Sequence, residues 1–192
     1  MKHGPVKKDY HHGDARAALL RAAGEMIEDT GAAALSLRAV AERANLSRQA
    51  PYNHFADKAA MLAAIVTRGF ERLAAEVSAA TQGMTGTPAL AAAGEAYIGF
   101  AQGAPALFRL MYGRELVDIA DYPDAAAAAN GAYAALQKVV ATMDVGGRKA
   151  DDVSLAAWCL VHGYATLCNE AGIEALEQKA SRAAMFAAII AG

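Results

Sequence analysis

Apolar positions recur at three- and four-residue steps along almost the whole chain, and no run alternates with the period of two that a strand requires. Between residues 36 and 44, Leu37, Val40, Ala41 and Ala44 fall at i, i+3, i+4 and i+7 and mark one face of a short helix. Ser36 stands before that face as a candidate N-cap, and Asn45, which tolerates the left-handed conformation, follows it as a stop. Ser47 is placed to cap a second short helix over 48–54. Two short helices joined this tightly are the pattern of a helix-turn-helix, whose second helix enters the major groove of DNA.

Upstream, the stripe Leu19, Ala23, Met26, Ile27 and Thr30 predicts a helix from about Asp14, its candidate cap, to Thr30, with Gly31 as its stop. Downstream, Asp57 is placed to cap a long helix with the stripe Met61, Leu62, Ile65, Val66, Gly69 and Leu73. Gly83, Gly86 and Pro88 break the pattern at 81–88. Further helices are expected near 88–102, 105–118, 124–143, 151–170 and 173–190, separated by Gly103/Pro105, Asp121/Pro123, Gly146/Gly147 and Gly172. The expected fold class is all-α. An N-terminal tail and three-helix helix-turn-helix domain over 1–58 is joined by a long fourth helix to a C-terminal helical ligand-binding and dimerisation domain over 59–192.

Composition narrows the setting. With 192 residues, 55 % of them hydrophobic and 20 % charged, the chain can bury a substantial core and is too apolar for disorder. No stretch approaches the ~18–20 uninterrupted apolar residues of a membrane span. Residues 1–10 lack the apolar core of a secretory signal, so a soluble, cytoplasmic protein with no membrane partner is expected. A net charge of −2 argues against a protein that coats nucleic acid in bulk. Residues 1–60 carry nine Lys/Arg against seven Asp/Glu, and the remainder nine against thirteen, which is compatible with one face presented to DNA. Cys159 and Cys168, nine residues apart, fall on opposite faces of one expected helix with roughly 13.5 Å of rise between them. They cannot bridge each other there; they read as packing thiols, with a ligand-lining or redox role as the alternative. The chain has no His-x3-His, no Gly-x-Ser-x-Gly and no phosphate loop, so no catalytic residue, metal or cofactor is expected.

The helix-turn-helix carries the chemistry of a reader. Arg48 and Gln49 open the second helix, where side chains reach base edges; arginine pairs bidentately with guanine and glutamine with adenine. Tyr52 and His54 carry donors on short, stiff side chains suited to a phosphate, and Lys58 supplies a charge where the DNA backbone should run. Ser36 and Ser47 offer hydroxyls beside helix N-termini, whose free amides favour phosphate oxygens. Arg38 reads equally as a base or phosphate contact and as a surface charge. Phe55 reads as core, Glu42 and Arg43 as a solvated face, and His11 and His12 as part of a basic arm near DNA or, alternatively, as metal ligands. Pro51 falls at the fourth position of a helix capped by Ser47 and removes an amide from its first hydrogen-bonded turn; a tight, slightly distorted helix is expected.

The series Gly31, Ser36-Leu-Arg38-Ala-Val-Ala41, Leu46-Ser47, Tyr52-Asn-His54-Phe55 and Lys58 resembles the tetracycline-repressor (TetR-like) family of bacterial regulators. Tyr10-His-His-Gly-Asp14 resembles the segment that opens one branch of that family. Trp158-x3-His162-Gly163 resembles the signature of the branch with a WHG-type ligand domain. The resemblance implies that Ser47, Tyr52, His54 and Lys58 touch the DNA backbone and that Arg38, Arg48 and Gln49 read bases. It also implies repression as the commoner outcome. Pro51 departs from the family, where an aliphatic residue is commoner.

A lone helix-turn-helix makes too few phosphate contacts for selective binding, whereas a two-fold dimer reads an inverted repeat with half-sites ~34–36 Å apart. On the last two expected helices, Leu155, Cys159, Leu167, Ile173, Leu176, Ala180, Ala184 and Ala187, with Ala183 and Ile190, put apolar and small residues at helical spacing. Either two subunits pack there as a four-helix bundle, or the stripe is ordinary core. The middle of the chain is rich in aromatic and adaptable side chains. Tyr97, Phe100, Phe108, Met111, Tyr112, Tyr133, Trp158 and His162 are candidate walls of a ligand cavity, or core. Arg109 and Arg114 could serve an anionic ligand. The expected function is a ligand-responsive, DNA-binding transcription regulator. It is read as a repressor that binds a double-stranded inverted-repeat operator as a homodimer and is released by a small hydrophobic or amphipathic effector. The rival readings are a helical ligand-binding or adaptor protein whose reader has lost DNA binding, and a helical enzyme.

Overall fold

Local capping chemistry sets the first turns of the fold. In the computed structural model, which describes residues 12–171 and 179–192, α1 (His12–Thr30) stops at Gly31, whose φ of 81° suits a residue with no Cβ. Helix α2 (Leu37–Arg43) starts where the Ser36 side chain accepts the Ala39 N–H at 3.2 Å and ends at Asn45, with φ 54°. Helix α3 (Lys58–Ala80) starts where Asp57 accepts the Ala60 N–H at 2.7 Å. There follow α4 (Gly86–Gly103), α5 (Pro105–Tyr112), α6 (Pro123–Val140), α7 (Ala150–Ala171) and α8 (Lys179–Ala191). Short 3-10 turns lie at Ala32–Ala34, Pro51–Asn53 and Ile119–Asp121, and no strand occurs among the described residues. No helix among them is long and apolar enough to cross a membrane. Residues 1–11, Ile173 and Leu176, together with the side chains of His12, Asp14 and Ala180, lie outside the described residues.

Two expectations are corrected. The helix expected over 105–118 ends at Tyr112, because Gly113 turns to extended backbone (φ −84°, ψ 144°). Thr30 does not face inward; it is exposed, and its hydroxyl donates back to the Met26 carbonyl at 3.0 Å.

The predicted stripes build the core. Leu19, Ala23 and Ile27 of α1, Leu37 and Val40 of α2, and Met61 and Leu62 of α3 close with Phe55 into the N-terminal part of one continuous core. Each large aliphatic side chain so buried contributes about 1.5–3 kcal/mol. Helix α3 carries the core onward through Ile65, Val66, Phe70, Leu73 and Val77, where it packs along α6 while α4 lies on α8. At Gly69, α3 meets α5 so closely that a Cβ there would stand 2.6 Å from Met111 Sδ. Arg148 holds the end of α8, donating to the Ile190 carbonyl at 2.8 Å and the Ala191 carbonyl at 3.4 Å, which satisfies carbonyls that a helix end leaves free.

Candidate functional site

The segment after Asn45 is tighter than an α-helix. Pro51 has no N–H to return to the Ser47 carbonyl, so the segment closes on shorter i to i+3 links instead. Ala50 N donates to Ser47 O at 2.9 Å, Tyr52 N to Gln49 O at 3.1 Å, Asn53 N to Ala50 O at 3.2 Å and His54 N to Pro51 O at 3.0 Å. The expected α-helix over 48–54 is therefore a run of turns ending in the 3-10 turn Pro51–Asn53. Ser47 contributes its carbonyl to the first turn rather than a side-chain cap. Pro51 and Phe55 are buried and pin the segment to the core, while Arg48, Gln49 and Tyr52 point outward, Tyr52 with 54 % of its surface exposed. Gln49 and Tyr52 are one tight turn apart, joined by the Tyr52 N–H to the Gln49 carbonyl, and both are exposed.

The other expected DNA-facing residues are not all equally free. Ser36, Arg38 and Ser47 are exposed, and His54 is half-buried with its ring edge-on to Phe55 at 6.4 Å between centroids. Lys58 is half-buried, and its ammonium donates to the Ala33 carbonyl at 2.7 Å, tying α3 to the turn after α1. Arg43 is not merely solvated: it pairs with Asp29 of α1 at 2.6 Å, although both are exposed and such a pair adds little stability.

The larger half encloses a cavity of about 420 Å³, walled by α3, α4, α6, α7, α8 and the end of α5. Of the candidate ligand contacts, Tyr97, Met111, Tyr112, Tyr133 and Trp158 line it. Phe100 does not. It is fully buried beneath the Arg72 guanidinium, 4.9 Å from its ring centre, because its position on α4 faces α3 rather than the void. Phe108 and His162 lie behind the wall, lining a separate recess of about 200 Å³ with Arg109, Asn169 and Glu170. Ala187, expected at a subunit interface with Ala183 and Ile190, is buried and lines the cavity with both of them. The sequence reading missed Phe70, Leu73 and Val77 of α3, Leu90 and Gly94 of α4, and Phe186 of α8 as further wall.

One oxygen organises the polar part of the wall. Trp158 Nε1 donates to Tyr97 Oη at 3.3 Å, and the same oxygen lies 3.0 Å from Tyr112 Oη and 2.8 Å from His162 Nδ1. A hydroxyl has one proton and two acceptor sites, so these three partners saturate it. Burial pushes the Tyr97 and Tyr112 hydroxyls above the ordinary phenol range and holds His162 below the ordinary imidazole value. The group is therefore neutral, and two proton arrangements satisfy it. Tyr97 donates to a bare Nδ1 and accepts from Tyr112, or an Nδ1–H donates to Tyr97, which then donates to Tyr112.

Between the reader and the cavity stands a contact that sequence could not supply. Glu28 of α1 accepts the first free amides of α5, Ala106 N at 3.1 Å and Leu107 N at 2.9 Å. A carboxylate at that position satisfies two orphan donors and meets the positive end of the helix dipole. Helix α5 also carries Met111 and Tyr112, so one short rod touches both α1 and the cavity.

Residues 90–192 match the family described as tetracyclin repressor-like, C-terminal domain, and residues 19–65 match bacterial regulatory proteins of the tetR family. No curated protein matches the chain. Among solved structures, a protein with unknown function from Rhodococcus sp. RHA1 is 30 % identical, with 96 % of this chain and 97 % of that one aligned at a TM-score of 0.83. A bacterial regulatory protein in the tetR family from Rhodococcus RHA1 is 19 % identical over 93 % of this chain and 97 % of that one, with a TM-score of 0.73. FadR from Bacillus subtilis, solved in complex with stearoyl-CoA, is 11 % identical over 92 % of this chain and 97 % of that one, also at 0.73. The last two show likeness of fold alone. With both halves matched and the exposed turn and internal cavity in place, the chain belongs to the tetracycline-repressor family, as a transcription regulator and not an enzyme, with an N-terminal DNA-binding domain and a ligand-binding C-terminal domain.

Proposed function

We propose that the protein is a cytoplasmic repressor that binds an inverted-repeat operator as a homodimer and leaves it when a small apolar or amphipathic effector fills the 420 Å³ cavity. The observation that carries this reading is the Glu28 link, which joins the helix bearing Met111 and Tyr112 to α1, the helix of the reader that packs against α2. In this reading residues 1–58 form the reader and 59–192 the sensor and dimerisation domain. Arg48, Gln49 and Arg38 meet base edges, and Ser36, Ser47, Tyr52, His54 and Lys58 meet the phosphate backbone.

The proposed dimer face lies on α7 and α8. Leu155, Cys159 and Leu167 are exposed along α7, as are Ala184, Met185 and Ile189 on α8; Leu155, Leu167 and Ile189 expose 50 %, 53 % and 59 % of their surface. Paired with the same face of a second copy, these stripes form a four-helix bundle that spaces two readers by one turn of DNA, ~34–36 Å. An effector that wedges against Met111 and Tyr112 shifts α5, and through Glu28 it shifts α1. A coupling of 1–3 kcal/mol changes operator affinity about 5- to 150-fold.

The test is to sequence the DNA fragments retained by the purified protein and to titrate the recovered site. A single inverted repeat bound by two protomers, with affinity falling steeply as salt rises, supports the reading. Binding without sequence preference at any salt overturns it. It would favour instead an adaptor whose reader is degenerate, for which the non-α geometry at Pro51 is the supporting observation.

A further inference from the structure

We infer that the cavity takes an apolar carboxylate of about a dozen non-hydrogen atoms, its anionic group held at the mouth by Arg114 and Asn130. This rests on the cavity being the effector site, as proposed above.

Size sets the first limit: at the ~30 Å³ that a water-sized group occupies, 420 Å³ holds roughly 14 non-hydrogen atoms. The walls set the second. Phe70, Leu73, Val77, Leu90 and Ile190 supply hydrocarbon, and Tyr112, Tyr133 and Trp158 supply ring faces, Tyr133 and Trp158 with centroids 5.6 Å apart. Only an apolar body regains there what it loses by leaving water.

Charge sets the third limit. The exposed members of the lining are Gly113, Arg114 and Asn130, so the cavity opens between the segment after α5 and the middle of α6. Among the described lining residues none is acidic, and Arg114 is the one cation. Arg43, Arg72 and Arg148 spend their guanidinium donors on carboxylates or carbonyls. Arg114 and Asn130 make no such bond among the described residues, which leaves a forked donor and an amide free at the opening. Deeper in, Trp158 Nε1 is spent on Tyr97 Oη and the Tyr97 proton on His162 or Tyr112; the Tyr112 proton is spare in one of the two arrangements, but a single neutral phenol is a weaker anchor for an anion than a charged, forked guanidinium. The carboxylate therefore stays at the mouth while the body goes in. A cationic amphiphile would find rings but no counter-charge, and Arg114 would oppose its entry.

Trp158 is the single tryptophan of the chain and lines the cavity, so its emission reports occupancy directly. The probes are 4-phenylbutyrate, 4-phenylbutanol and 4-phenylbutylamine, which share a body and differ in head group. The carboxylate should bind about tenfold more tightly than either partner. Arg114→Gln should lower carboxylate affinity to the level of the alcohol. Arg109→Gln, which removes an exposed cation outside the cavity lining, should leave the preference intact. Equal or tighter binding of the amine or the alcohol, or a carboxylate preference that survives Arg114→Gln, overturns the inference and leaves the cavity reading standing. If none of the three binds by emission or by calorimetry, the effector-site reading fails and the inference falls with it.

Discussion

Tyr97 places three partners on one hydroxyl, and that arrangement fixes what its loss would do. Tyr97→Phe keeps the ring against Phe108 but leaves Trp158 Nε1 and the Tyr112–His162 pair without their shared oxygen. A loss of about 1–3 kcal/mol in a urea titration is expected, the cost of buried polar groups left unmatched. His162 adds a pH dependence whose sign follows from its lowered value. The folded state binds the proton less readily than the unfolded chain. The contribution is thus whole above the ordinary imidazole range near 6.5 and is lost as pH falls through it toward the folded value. Thermal scans from pH 8 to 5 should show a falling Tm that flattens in His162→Gln; identical slopes in both proteins would contradict the assignment. At this scale much of the reader was legible. Ser36, Asn45, Gly31 and Asp57 act through neighbours within a few residues, and local chemistry is what a sequence displays. The state of Phe100 was not legible, because on α4 the same spacing serves a residue under Arg72 and a residue on the void.

At the scale of elements, α5 is the piece on which the account of switching depends. Its first amides rest on Glu28, a residue whose partners lie 78 and 79 positions away, so no local pattern announced it. Glu28→Ala should cost about 1 kcal/mol of stability, in the range of a lost helix cap. It should also weaken the effect of any bound effector on DNA affinity while leaving effector affinity nearly unchanged. Paired titrations of Trp158 emission and operator binding separate the two; an undiminished effector response in the variant would exclude this route. The recognition segment makes the complementary point. Its position and exposed residues were readable, but its hydrogen-bond pattern depended on one missing amide, and the tight turns that result join Tyr52 to Gln49 through the backbone. Gln49→Ala should change preference at one base position, whereas Tyr52→Phe should weaken all sequences alike, as competition binding against a panel of single-base operator variants would reveal.

For the whole molecule, the division between inward and outward faces of the last two helices shapes the cavity and carries the proposed dimer face. Alanine lies on both faces of α8, which hides the phase of its stripe in sequence. In the fold Ala183, Ala187 and Ile190 turn inward to the cavity, and Ala184, Met185 and Ile189 turn outward. The all-α architecture, the reader and the break before α4 were written in periodicity and caps. The cavity's walls come from six helices, α3 to α8, and needed the fold. If the outward stripe of α7 and α8 joins two copies, Leu155→Glu together with Leu167→Glu places charges in a desolvated seam. Sedimentation of that variant should give a folded monomer whose operator affinity has collapsed.

The most direct test is selection of DNA by the purified wild-type protein beside an Arg48→Ala, Tyr52→Phe variant of equal thermal stability. The account predicts that the wild type enriches one inverted repeat with half-sites centred ~34–36 Å apart, and that the variant enriches none. Enrichment of the same sequence by both proteins, or of no sequence by the wild type, would contradict it.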